Sequence, residues 1–178
     1  MMHRRSYATA ALLVASTIAI VSCYDFDAPI EPTPKHALDP ALLGTWRCLG
    51  TDQPPDAKPA NFVVTAARDR VYSIRFAEGD EKPEAYEAHA SEVKGHTVLN
   101  VRDLDPGFPT KPWTFARYSF LLPNVLRVQL VDDDVLKGVE QTPTALRAAL
   151  ERLDGKPELY AEICICVRAT VAAKEAAP

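Results

Sequence analysis

From residue 41 onward, apolar and polar residues alternate with a period of two through most of the chain, the spacing of strands with one buried and one wet face. Tyr72, Ile74 and Phe76 fall on one side of such a segment, with Ser73 and Arg75 on the other. Leu126, Val128 and Leu130 oppose Arg127 and Gln129 in the same way. One-sided burial marks an antiparallel sheet, because parallel sheets are covered on both faces. The pattern predicts strands at 43–49, 61–66, 71–77, 84–93, 97–102, 113–122, 125–131 and 159–170. Lys94-Gly95 and Pro123-Asn124 supply tight reversals between neighbours, so the strands read as a meander. A period-3.6 stripe interrupts them before the last strand. Thr142 can cap a helix, Pro143 suits its first position, Leu146, Ala149, Leu150 and Leu153 share one face, and Gly155 ends it. This helix is expected to close one end of the sheet or barrel. A second short helix is expected between Asp132 and Gly138.

The N-terminus follows a different pattern. His3, Arg4 and Arg5 precede an apolar run that ends Ile20-Val21-Ser22-Cys23. The run 8–21 has about 14 residues, short of the ~20 that a spanning helix needs. A basic start, a short apolar core and small residues before a cysteine form an export signal. Its closing tetrapeptide resembles the lipobox of bacterial lipoproteins. The resemblance implies cleavage before Cys23, acyl chains on that residue and residence in the bacterial cell envelope. Tyr24, rather than aspartate, follows the cysteine, which by the same resemblance points to the outer membrane. Two or more acyl chains anchor stably where one does not, so the body need not bind the membrane itself. The chain thus divides into a signal peptide (1–22), a tether (23–40) carrying Pro29, Pro32, Pro34 and Pro40, a β domain (41–170) and a frayed alanine-rich tail (171–178).

Removing residues 1–22 takes away two arginines and no acid, leaving a body more acidic than the full chain's formal −4. Nucleic-acid binding runs on clustered basic charge and is not expected. The remaining length suits one domain with a real core.

Gly44-Thr45-Trp46 opens the first strand and resembles the Gly-x-Trp signature of lipocalins, where the tryptophan plugs the closed end of a small barrel. That resemblance implies an arginine from a late strand packed across the tryptophan, and Arg168 is the candidate partner for Trp46. If Trp46 stands opposite Arg168 in an antiparallel pair, Cys48 stands opposite Cys166, a separation a disulfide can bridge. A Cys48–Cys166 bond is expected, with Cys48–Cys164 as its two-residue slip. An exported chain permits it. With Cys23 acylated, one thiol is left over. The pattern departs from lipocalins in placing its helix before the last strand, so a related calycin-like or half-open barrel fits too. It is also similar to small bacterial lipoproteins with the same tryptophan start, which carry no activity over.

The side chains give little sign of chemistry. Cys48, Cys164 and Cys166 could form a thiol redox or soft-metal site, though no histidine lies near them in sequence. His89 and His96 flank Lys94-Gly95 and could approach across a hairpin. Asp132, Asp133 and Asp134 lack the spacing of a calcium loop and suit a strand end and helix start. Ser73, Ser91 and Ser119 sit in strands without a nucleophile elbow. Neither a catalytic residue nor a metal or other cofactor is expected. Tyr72, Phe76, Tyr86, Trp113 and Phe115 are the candidates to line an apolar cavity, set against simple core packing. The loop 105–112, with Phe108, is the expected lip or partner contact. The expected role is non-enzymatic binding of an apolar small molecule, a lipid or an envelope protein.

Overall fold

The computed structural model describes residues 26–54, 56–79, 81–104 and 112–169. Cys23, Phe108 and the tail 171–178 lie outside them. Eight strands form: β1 (Gly44–Gly50), β2 (Ala60–Arg68), β3 (Val71–Glu78), β4 (Glu84–Val93), β5 (His96–Asp103), β6 (Trp113–Leu122), β7 (Val125–Val131) and β8 (Tyr160–Arg168). Each pairs antiparallel with its sequence neighbour, and β8 returns to β1 to close a barrel. Closure leaves no sheet edge. The β4–β5 reversal has positive φ at both Lys94 (48°) and Gly95 (80°), the backbone of a type I′ hairpin turn.

The meander gives the barrel two unlike ends. Turns β2–β3, β4–β5 and β6–β7 gather at the end where β1 starts, and the chain passes close there before β1. The opposite strand ends, at Gly50 and Ala60, Glu78 and Glu84, Asp103 and Trp113, and Val131 and Tyr160, gather at the other, open end. The interior is packed by Trp46, Cys48, Val64, Tyr72, Ala88, Ala90, Leu99, Ala116, Leu126, Cys164 and Cys166.

A second apolar cluster joins Val93, Val98, Phe115 and Val131 to Leu146, Ala149, Leu150 and Leu153. These strand residues alternate with the interior ones, so the second cluster lies on the outer wall. The helix α1 (Pro143–Leu153) is capped by Thr142, whose Oγ1 accepts the Ala145 N–H at 3.3 Å. It therefore covers the wall of β4 to β6 and does not close an end of the barrel. The reason is that these strands carry apolar residues in both phases, and the outward phase needs a cover. The short helix expected near 132–138 is a 3-10 turn, Asp133–Leu136, with Asp132 as its cap.

The expected tether is also corrected for residues 26–40. Phe26 and Ile30 are each 2% exposed and belong to the outer cluster. Phe26 exchanges both backbone hydrogen bonds with Trp113 at 2.8 Å, and its ring stacks on Phe115 at 4.4 Å. Ile30 N–H donates to Asn100 Oδ1 at 2.7 Å. His89 Nε2 meets the Glu31 carbonyl oxygen at 2.7 Å. This strap starts at the open end beside Trp113, crosses β5 and β4, and turns into β1 at the closed end. Proline content signals an extended backbone, and here that backbone is laid against the barrel.

Candidate functional site

Trp46 is fully buried inside the closed end, its Nε1–H donating to the Leu42 carbonyl at 2.9 Å. Arg168 stands opposite it in the β1–β8 register, the guanidinium 4.2 Å from the ring centroid. The same guanidinium donates to the Leu43 carbonyl at 2.8 Å and to the Ala41 carbonyl. Gly44 is obligatory here. Its φ is +135°, and a Cβ would lie 2.6 Å from the Arg168 Nη1.

Cys48 and Cys166 are directly opposed and disulfide-bonded across a sequence separation of 118. Cys164 stays outside the bond as a buried thiol, its Sγ 3.6 Å from that of Cys166. All three sulfurs lie within 4.8 Å of one another. In the bonded form two of them carry no thiolate to offer a metal or an electrophile.

Beneath the strap, a cleft of about 310 Å³ reaches the interior between His36, Asp39, Tyr72, Ala90, Thr97 and Tyr118. The Tyr118 hydroxyl donates to Asp39 Oδ2 at 3.0 Å, and the Tyr72 hydroxyl accepts the Asp39 N–H at 2.6 Å. Burial, then the hydrogen bond to Asp39 and its charge, push the Tyr118 phenol far up; burial also raises Tyr72. Both stay neutral hydroxyls and act as hydrogen-bonding struts.

The open half differs. Phe62, Ile74, Phe76, Tyr86 and Val101 share the inward phase of their strands yet remain only half-buried. Phe62 and Phe76 form a tilted pair at 4.8 Å. This inward-facing set forms the mouth of the barrel, the cup, in which Phe62, Ile74 and Val101 pack against the interior cluster. Of the five residues singled out in the sequence, Phe76 and Tyr86 belong to this cup and Tyr72 to the closed end. Trp113 and Phe115 do not line the interior: they pair with Arg102 and Asn100 on the outward phase, where Phe26 of the strap stacks on Phe115 and bonds the Trp113 backbone, leaving the Trp113 ring half-buried.

His89 and His96 do not approach each other. His89 pairs with Asn100 and His96 with Val93, which puts them at different heights on the hairpin. His96 lies 3.9 Å from Asp154, while His89 is buried under the strap, a burial that pulls its imidazole below the ordinary value. Asn100, fully buried, holds Ile30 and donates to the Ser91 hydroxyl at 2.7 Å. Sequence reasoning missed this polar seat, although an asparagine in phase with Val98 amid an apolar strand was its signal. Glu31 is buried too. Burial alone would raise its carboxyl, but the hydrogen bond and charge of Lys35 at 2.7 Å, with His36 and Arg147, hold it below its ordinary value.

On the outer wall, away from helix and strap, Leu49 and Val167 are nearly half exposed and border a groove shared with Arg47, Pro59 and Ile165. Among the described residues no helix is long and apolar enough to cross a membrane. Comparison of the chain with family models, with curated proteins and with solved structures yields no match in any of the three.

Proposed function

We propose that this is a lipid-anchored protein of the bacterial envelope, held in the outer membrane by acyl chains on Cys23, whose lipocalin-like barrel binds an apolar small molecule or lipid without catalysing a reaction. The observation that carries the reading is the inward-facing yet half-buried set Phe62, Ile74, Phe76, Tyr86 and Val101 at the open end. Apolar side chains that face inward at an open barrel mouth and keep some exposure offer contact area to an apolar guest. The Trp46–Arg168 plug and the β1–β8 disulfide keep the other end shut and the cup rigid.

The test uses the Cys23→Ser chain, which is exported without acyl groups, titrated with a fluorescent anilinonaphthalene dye and then with a long-chain fatty acid as competitor. Saturable binding is expected, weakened about tenfold by Phe76→Ala, which corresponds to ~1.4 kcal/mol of lost contact. Absence of saturable binding refutes the reading. A protein partner is the second reading, favoured by the exposed Leu49 and Val167 beside the partly exposed Ile165; a partner captured by wild type and lost with Val167→Glu supports it. The thiol or metal reading of Cys48, Cys164 and Cys166 rests on their proximity alone and requires the disulfide to open first. Thiol titration and metal analysis of protein purified from the envelope decide it.

A further inference from the structure

The strap fixes which end of the barrel looks at the membrane. Phe26 is joined to the first residue of β6 by two backbone hydrogen bonds, stacked on Phe115, and 2% exposed. Trp113 stands at the open end, next to the loop that leads into β6. From Cys23 to Phe26 is three residues, and three residues span at most about 11 Å when fully extended. A spacer running to residue 40 would have let the barrel tumble at the end of some seventeen residues. The docked strap removes almost all of that freedom.

Resting on the reading that Cys23 is acylated, we infer that the open end of the barrel, and with it the aromatic cup, faces the leaflet that carries the anchor, with Phe26, paired to Trp113 at the rim, held within about 11 Å of the acylated residue. The partner of this surface is the lipid interface itself. Trp113 is half-buried and has the Arg102 guanidinium 5.8 Å above its ring, the pairing of amphipathic aromatic and cation that suits a headgroup layer. In sequence the connections 51–59, 79–83 and 104–112 carry Asp52, Asp56, Asp80, Glu81 and Asp105 against Lys58, Lys82 and Lys111, so the rim suits zwitterionic lipid better than an anionic surface. The closed end, with Arg70, Lys94 and Asn124 in its turns, points away. A guest of the cup then exchanges with the bilayer directly, without crossing the aqueous phase.

The test uses the full lipidated chain in phosphatidylcholine nanodiscs doped with a gadolinium-chelate lipid, read by amide NMR. Signals of Lys58, Glu81 and Trp113 are expected to broaden roughly tenfold more than those of Arg70, Lys94 and Asn124, which stand about a strand length, ~20 Å, further off. Phe26→Ser, which releases the strap, should bring the two sets toward equal broadening while the barrel's own spectrum persists. Mass spectrometry of the same preparation reads the state of Cys23. An unmodified Cys23 overturns the anchoring reading and this inference with it. An acylated Cys23 with equal broadening of both ends, or stronger broadening of the closed end, overturns the orientation alone.

Discussion

Removing the β1–β8 bond should cost more through Cys48 than through Cys166. The bond spans 118 residues, and in the chain-entropy model a loop of that length restrains the unfolded state by about 5 kcal/mol. Cys48 is the sole bonded cysteine on β1. Cys48→Ala therefore leaves both remaining sulfurs on β8, where no bond can close the barrel, and the whole restraint is lost. Cys166→Ala leaves Cys48 facing a diagonal neighbour, Cys164, whose Sγ is within 4.8 Å. A Cys48–Cys164 bond closes a loop of nearly equal length, so most of the entropy term returns, less the distortion of a two-residue diagonal. Guanidinium unfolding of the Cys23→Ser chain under non-reducing conditions should show Cys48→Ala weaker by about 3–5 kcal/mol and Cys166→Ala weaker by about 1–3 kcal/mol. A reductant should erase the difference. Peptide mapping of Cys166→Ala should recover the new bond. Equal losses for the two variants without reductant, or no Cys48–Cys164 peptide, would refute the reasoning.

Three further outcomes follow from the plug and the strap. Arg168→Ala removes the cation–π contact and two carbonyl partners, and thermal or chemical unfolding should show a loss of about 2–4 kcal/mol, with Arg168→Lys recovering only part; a loss under ~0.5 kcal/mol would mean the plug is ornamental. Asn100→Leu strips the Ile30 N–H and the Ser91 hydroxyl of their buried partner, at about 2–3 kcal/mol, and should free the strap first, which trypsin cleavage after Lys35 in an otherwise folded chain would reveal. Acid should loosen the strap in two steps. His89 is held below 6.5 by burial, so as pH falls through 6.5 the unfolded chain gains a proton that the folded one resists; Glu31, held below 4.5 by Lys35, His36 and Arg147, adds its loss as pH drops past 4.5. Faster hydrogen exchange at the Ile30 amide, after correction for intrinsic pH effects, is the expected readout, and protection unchanged from pH 7 to 4 contradicts it.

Much of the barrel was legible because period-2 alternation is unambiguous where one face is wet, as in β3 and β7. The β1–β8 register followed from matching Trp46 to Arg168, since a two-residue slip is the smallest that keeps every side chain on its face. What escaped was the outer layer. Strand β6 carries Trp113 and Phe115 in one phase and Tyr118 and Phe120 in the other, and a strand apolar in both phases must be covered on both sides. Treating Trp113 and Phe115 as interior overlooked that cover. The strap was missed for a related reason. Its prolines advertise extended chain, but Phe26 and Ile30 are large apolar residues that a solvated spacer has no use for. The cup was only partly visible, because Phe62 lies in a strand whose outer half is polar and small.

The meeting of β1 with β8 also sets a timetable. These strands are the last pair to become available, since one emerges near the beginning of the chain and the other near its end. Until β8 arrives, β1 and β7 present bare edges, that of β7 rich in Leu and Val, open to pairing with any neighbouring chain. Contacts so distant in sequence are slow to form. The hazard is therefore concentrated in the interval between the emergence of β1 and the docking of β8, and a chain truncated before Tyr160 should aggregate rather than persist as a smaller open sheet.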